Sequence, residues 1–300
     1  MLRRDASWAV QQYEGVRALL PRAQMPKVSS EAANLGEISH HFDVFLLDAF
    51  GVLNVGNSAI AGAAERVKSL QDQGKQVLVL TNGATYPAEQ ALDKFTGLGF
   101  DFDIRNIVSS RDALAAALRV RTHTGYWGAM CRATSRVDTL AVPFQRLETD
   151  LSVYDDAAGF LLLAAGEWSE SQQALLRRSL AKHPRPVLVG NPDIVAPRED
   201  GLSLEPGHFA YELIRDLDVS ARLFGKPFAN IFDMAFERLG TVDPARVAMV
   251  GDTLHTDVLG GAGYGLKTVL VTDHGLFAGH DHRAFIADTK IVPDFIIPTI

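Results

Sequence analysis

Two four-residue apolar runs constrain the fold more than any other feature: Val44 to Leu47 and Val77 to Leu80, each stopping abruptly at a polar residue. Runs this short, apolar without alternation, read as strands buried on both faces. Between them AGAAERVKSLQDQGKQ puts Ala63, Val67 and Leu70 on one helical face and ends near Gly74, a helix with its stop signal. After the second run, Pro87 opens another helical pattern, PAEQALDKFTGLG, where its missing N–H costs little. Strand, helix, strand, helix at this spacing predicts a parallel α/β sheet, which binds ligands beyond the carboxyl ends of its strands. Asp48 and the Thr81-Asn82-Gly83 turn would share that edge.

The theme continues along the chain. SSRDALAAALRV and SESQQALLRRSLAKH read as helices, AGFLLLA and PVLVGNPD as strands, and after them FAYELIRDL, ANIFDMAFERLG, VAMVGD and TVLVTDHG resume the first pattern. The expected organisation is a Rossmann-like parallel-sheet core from 1–105 and 206–300, with 106–205 an inserted α/β domain. A segment rich in histidine and aspartate, DHGLFAGHDHRAF, is expected to be a surface loop, and GGAGYG a glycine-rich helix end rather than a dinucleotide fingerprint.

Composition narrows the partners. A net charge of -7 with scattered charges offers no basic stripe for nucleic acid or anionic membrane. AAGFLLLAAG, 157 to 166, is about half of a membrane span. The N-terminus reads as an amphipathic helix rather than a signal peptide, and a single cysteine, Cys131, fits a reducing compartment, so a cytoplasmic protein is expected. No nucleic acid and no membrane are expected as partners, a small or anionic ligand would need local positive groups, and a homo-oligomer is compatible with this.

VAMVGDTLHTD places Asp252 at a strand end and Asp257 five residues later. A carboxylate cluster of this kind calls for a hard cation such as Mg2+, and an N-cap aspartate beside a solvated one is the structural alternative. A carboxylate attacking phosphorus also needs a hydroxyl and amides for the phosphoryl oxygens and a lysine to screen charge. Asp48, Thr81, the Gly225-Lys226-Pro227 triplet and the Asp252/Asp257 pair supply a candidate for each role.

With LLDAFGVL, VLVLTNG, GKP and VGDTLHTD in that order, the chain resembles the haloacid dehalogenase superfamily. GNPDIVAP, with Asn191-Pro192-Asp193, resembles the cap loop of the subfamily IIA hydrolases, whose large C2-type α/β cap lies between the second and third motifs. The resemblance implies that Asp48 is a nucleophile forming an aspartyl-phosphate, that Thr81, Asn82 and Gly83 hold the phosphate, and that Lys226 stabilises both. It implies Mg2+ bound by Asp48, the Phe50 carbonyl, Asp252 and Asp257, with Asn191 and Asp193 reaching the substrate from the cap.

Phe50 departs from the pattern, because the phosphatases of this superfamily carry there an aspartate that protonates the leaving group and then activates water. Loss of such a group costs about two to four orders of magnitude in rate, chiefly for leaving groups of high pKa. His208, His255 and Asp193 are candidate substitutes. The expected activity is a Mg2+-dependent phosphatase with impaired or substituted proton transfer. Two alternatives stand beside it: a weak or inactive phosphate-ligand binder, and a dehalogenase- or phosphonatase-like displacement suggested by the likeness of DAFG to DAYG.

Overall fold

The structure is a computed structural model that describes residues 4–120, 124–217 and 219–300. Its seven-stranded sheet runs in the order Ser30–Glu31, Phe295–Ile297, Lys267–Val271, Val247–Gly251, Val44–Leu47, Gln76–Thr81, Ile107–Ser109, with every neighbouring pair parallel. A second, five-stranded parallel sheet is ordered Ala221–Leu223, Val187–Val189, Gly159–Leu162, Trp127–Met130, Phe144–Arg146. The class is α/β, as the apolar runs require.

Period-two geometry explains why the central strands are apolar throughout: successive side chains enter different layers. Phe45, Leu47, Val77, Val79, Ala248 and Val250 join one cluster with Val67 and Leu70 of helix Ala63–Asp72. Val44, Leu46, Leu78, Leu80, Val247 and Met249 join another with Ile231, Phe232 and Ala235 of helix Ala229–Leu239. Burying each such side chain contributes about 1.5–3 kcal/mol, so both faces must be covered. Helix Ala63–Asp72 ends before Gly74, whose φ of 76° is the left-handed conformation glycine adopts without cost.

Register sets the active edge. Val250 pairs with Leu47, and Leu47 with Val79, so Asp48, Gly251 and Leu80 stand level, with Asp252 and Thr81 one step beyond. Strand Ile107–Ser109 belongs to the larger sheet and strand Ala221–Leu223 to the smaller, so the sheets exchange chain a little after the expected boundaries at 105/106 and 205/206. Helix Ala6–Gly15, capped by Asp5 accepting from the Trp8 N–H, packs Ala9, Val10 and Tyr13 against Ile194, Leu254 and Leu259. No helix among the described residues is long and apolar enough to cross a membrane.

Candidate active site

Asp48 is carried past the end of strand Val44–Leu47, its N–H bonded to the Val250 carbonyl at 2.9 Å. Its Oδ1 accepts from the Ala49 N–H at 2.7 Å and lies 2.7 Å from Lys226 Nζ, leaving Oδ2 without a protein donor among the described residues. The carboxylate is thus oriented through one oxygen while its side chain keeps 14% exposure. Lys226 is buried and also stands 2.7 Å from Asp257 Oδ1, so one ammonium bridges the nucleophile candidate and the last acidic motif. Burial opposes the Lys226 charge, but Asp257, Asp48 and Asp193 outweigh it and hold the ammonium above its ordinary value.

Asp252 is buried, its Oδ1 accepting from Thr253 Oγ1 at 2.8 Å and its Oδ2 from the Leu276 N–H at 2.8 Å. Asp257 sits in the π-helical turn Leu254–Val258, its Oδ2 accepting from the Thr253 N–H at 3.1 Å. Ligand atoms of Asp48, Asp252 and Asp257 lie within 4.8 Å of one another. Burial is the first cause of upward shifts in Asp48 and Asp252: Lys226 partly offsets it at Asp48, whereas Asp257 and Asp48 reinforce it at Asp252. Three carboxylates around one ammonium leave negative charge that a hard divalent cation would neutralise, so the oxygen-only donor set fits Mg2+. Backbone packs tightly here too, since a Cβ on Gly51, with φ of 77°, would meet Asp252 Oδ2 at 2.5 Å.

Thr81 is buried, with its Oγ1 accepting from the Gly83 N–H at 3.1 Å and its hydroxyl hydrogen left to donate. The Asn82 side chain is committed elsewhere. Its Oδ1 accepts from the Lys226 N–H at 2.7 Å, and its Nδ2 donates to the Lys226 carbonyl at 2.9 Å and to Asp193 Oδ1 at 2.7 Å. It thereby locks the Lys226 loop and ties Asp193 to the larger sheet. Asn191 Oδ1 accepts from the Asp193 N–H at 2.9 Å, a local turn that fixes Asp193, while its Nδ2 reaches Glu205 Oε2 at 3.2 Å. Burial raises Asp193 well above the usual carboxylate range, with Lys226 pulling the other way and Asp48 adding to it.

The histidine candidates lie in apolar or structural settings. His255 is fully buried, stacked on Tyr13 with centroids 4.9 Å apart, and its Nε2 lies 2.7 Å from Glu14 Oε1. Burial pushes both His255 and His208 down to about 4, so each is neutral near pH 7. Segment 273–285 is not simply a surface loop: Leu276 and Phe277 are buried, and the Leu276 N–H holds Asp252, because a buried carboxylate must find donors where backbone can supply them. Residues His282–Thr289 form a helix.

Several residues at the site carried no sequence signal. Tyr13, from the first helix, accepts the Ile194 N–H at 3.0 Å and fixes the Asn191–Ile194 turn from across the molecule. Ser110 Oγ donates to the Asn82 carbonyl at 2.8 Å. Lys94 and Arg198 both stand over the Phe50 ring, 4.5 and 4.6 Å from its centroid. Lys94 comes from helix Ala88–Gly97 and Arg198 from the hairpin Val195–Arg198/Gly201–Leu204, so Phe50 joins the two halves of the molecule.

This arrangement gathers a strand-end carboxylate, a buried lysine and two further aspartates at one sheet edge, a setting suited to a hydrolase. Comparison with known proteins agrees. A family model described as haloacid dehalogenase-like hydrolase matches residues 45–138, and a second, HAD-hydrolase-like, matches 223–300. The glycerol-3-phosphate phosphatase of Mus musculus is 28% identical, the match covering 93% of this chain and 94% of that protein. The acid sugar phosphatase of Staphylococcus aureus is 26% identical over 77% of this chain and 86% of its own length. A crystal structure described as a possible sugar phosphatase of the HAD superfamily from Cytophaga hutchinsonii superposes with a TM-score of 0.79 at 26% identity, covering 92% of this chain and 98% of that one. The chain belongs to the haloacid dehalogenase-like hydrolases.

Proposed function

We propose that the protein is a Mg2+-dependent phosphatase acting on a small phosphorylated metabolite through Asp48. The observation that carries this reading is the held Oδ1 and open Oδ2 of Asp48, with Asp252 and Asp257 ligand atoms within 4.8 Å. Oδ2 attacks phosphorus, a bond from Asp48 to the phosphoryl group forms, and the bond to the leaving oxygen breaks. Water then attacks the aspartyl-phosphate, releasing inorganic phosphate and restoring the carboxylate. The Thr81 hydroxyl and nearby amides hold the phosphoryl oxygens, and Lys226 screens the charge that gathers on them. Asp48, Asp252, Asp257 and the Phe50 carbonyl would hold the metal, which supplies neutralisation of the carboxylate–phosphate repulsion.

In this reading the seven-stranded sheet is the catalytic core and the five-stranded sheet its cap, which brings Asn191 and Asp193 to the substrate side. Phe50 supplies no proton, so the enzyme favours acyl, aryl and anhydride phosphates, whose leaving groups depart unprotonated. Turnover of 4-nitrophenyl phosphate with and without Mg2+ tests the proposal. Asp48→Asn should lower kcat by about three orders of magnitude or more, and Asp252→Asn should remove the dependence on Mg2+ along with most of the rate. Full activity in either variant would refute it.

A further inference from the structure

The phosphatase reading accounts for the acidic side of the site and leaves the cationic side unexplained. Lys94 and Arg198 crowd one phenyl ring two residues after the nucleophile, beside a turn whose next residue, Gly51, packs on Asp252. The ring that carries these cations belongs to the same turn as Asp48, two residues along the chain. Arg198 has its own carboxylate, Glu205 Oε1 at 2.9 Å. Lys94 does not: among the described residues no carboxylate stands within ion-pair distance, and its Nζ makes only a long contact of 3.4 Å to the Gly56 carbonyl. Glu199 is the acidic group nearby, but its carboxylate accepts the Asn57 N–H at 2.8 Å and is exposed. Burial, then Arg198, pushes the Lys94 ammonium down to about 8, with Glu199 opposing. A ring face offsets only part of the cost of holding two like charges together. A ligand anion would offset the rest.

We propose that Lys94 and Arg198, packed on Phe50, form a second anion subsite, so that the substrate carries a carboxylate or second phosphate on its leaving group. This names the substrate class of the phosphatase read above and therefore rests on that reading. Phe50 then serves as a platform: an aspartate in its place would pair with Lys94 and Arg198 and occupy the subsite itself.

Unreactive phosphonates test the subsite without turnover. Titration calorimetry in Mg2+ would compare alkylphosphonates with the ω-carboxyalkylphosphonates of one to four methylenes. At the best length the carboxylated ligand should bind wild type about tenfold or more tighter, the worth of one charge-assisted hydrogen bond. Lys94→Gln should bring that ratio close to one, and Lys94→Arg should retain most of it. Equal affinities in wild type at every length, or a ratio untouched by Lys94→Gln, would overturn the subsite. If 4-nitrophenyl phosphate is still hydrolysed in that case, the phosphatase reading survives alone. The expected preference in wild type, lost in Lys94→Gln, but with no turnover of 4-nitrophenyl phosphate, would instead overturn the phosphatase reading, and failure of both ligand series to bind would overturn both.

Discussion

On one side of Asp48, Asp252 and Asp257 crowd around a single buried ammonium. On the other, two cations stand over a phenyl ring, and among the described residues one of them has no carboxylate within ion-pair distance. On the acidic side three of the six carboxylate oxygens accept backbone N–H groups, from Ala49, Thr253 and Leu276, which fix each aspartate through the main chain. The cationic side is assembled from a core helix and a hairpin of the other half, with contacts to a ring rather than to donors.

The largest expected effect beyond loss of the nucleophile is at Lys226. Lys226→Met leaves Asp48 and Asp257 buried without their counter-charge and should cost about 3–5 kcal/mol of stability in chelator, read from urea unfolding. Mg2+ should recover part of that loss, and equal losses with and without the cation would argue that the carboxylates do not hold it. On the cationic side, Phe50→Asp alone should raise turnover of alkyl phosphates only weakly, because Lys94 and Arg198 hold the new carboxylate ionised. Joined to Lys94→Gln it should act as an acid and gain about tenfold over the single variant, a fraction of the full general-acid effect. A full gain from the single substitution would mean that the two cations do not govern that position.

The smallest effect is a pH slope. Without a divalent cation, burial holds Asp48 at about 6 and Asp252 at about 8, against an ordinary value of 3.8. Above pH 6.5, where His208 and His255, depressed to about 4, no longer oppose it, the folded chain binds more protons than the unfolded chain, and its stability should fall as pH rises to about 8. Calorimetric Tm measured across that range in chelator should decline, and saturating Mg2+, which favours the ionised carboxylates, should flatten the slope. A flat profile in chelator would contradict the burial of charge described here.

The difference between the two sides also explains what could be read in advance. Asp48, Thr81 and Asp252 each follow an apolar run, so strand periodicity places them on one edge, while Lys226 and Asp257 are marked by the short motifs that resemble the superfamily's. Asn82 is adjacent to that edge, yet its amide is spent on Lys226 and Asp193, a use that depends on where a loop 144 residues away returns. Tyr13, Lys94 and Arg198 meet the site only through packing between distant segments. A tyrosine in one helix, a lysine three positions before the end of another and an arginine in a hairpin have no local pattern that marks them. The expected surface loop at 273–285 holds only in part for the same reason, since the demand for donors to Asp252 is visible only once Asp252 is buried.

Everything above rests on Asp48 accepting a phosphoryl group. Acid quench of the enzyme during turnover of 4-nitrophenyl phosphate with Mg2+, followed by peptide mass spectrometry, addresses that directly. Because Phe50 cannot activate water, breakdown of the adduct should be slow, and the peptide containing Asp48 should carry a phosphate that is absent from Asp48→Asn. A wild-type enzyme that turns over steadily with no phosphate on that peptide at any quench time would contradict the account.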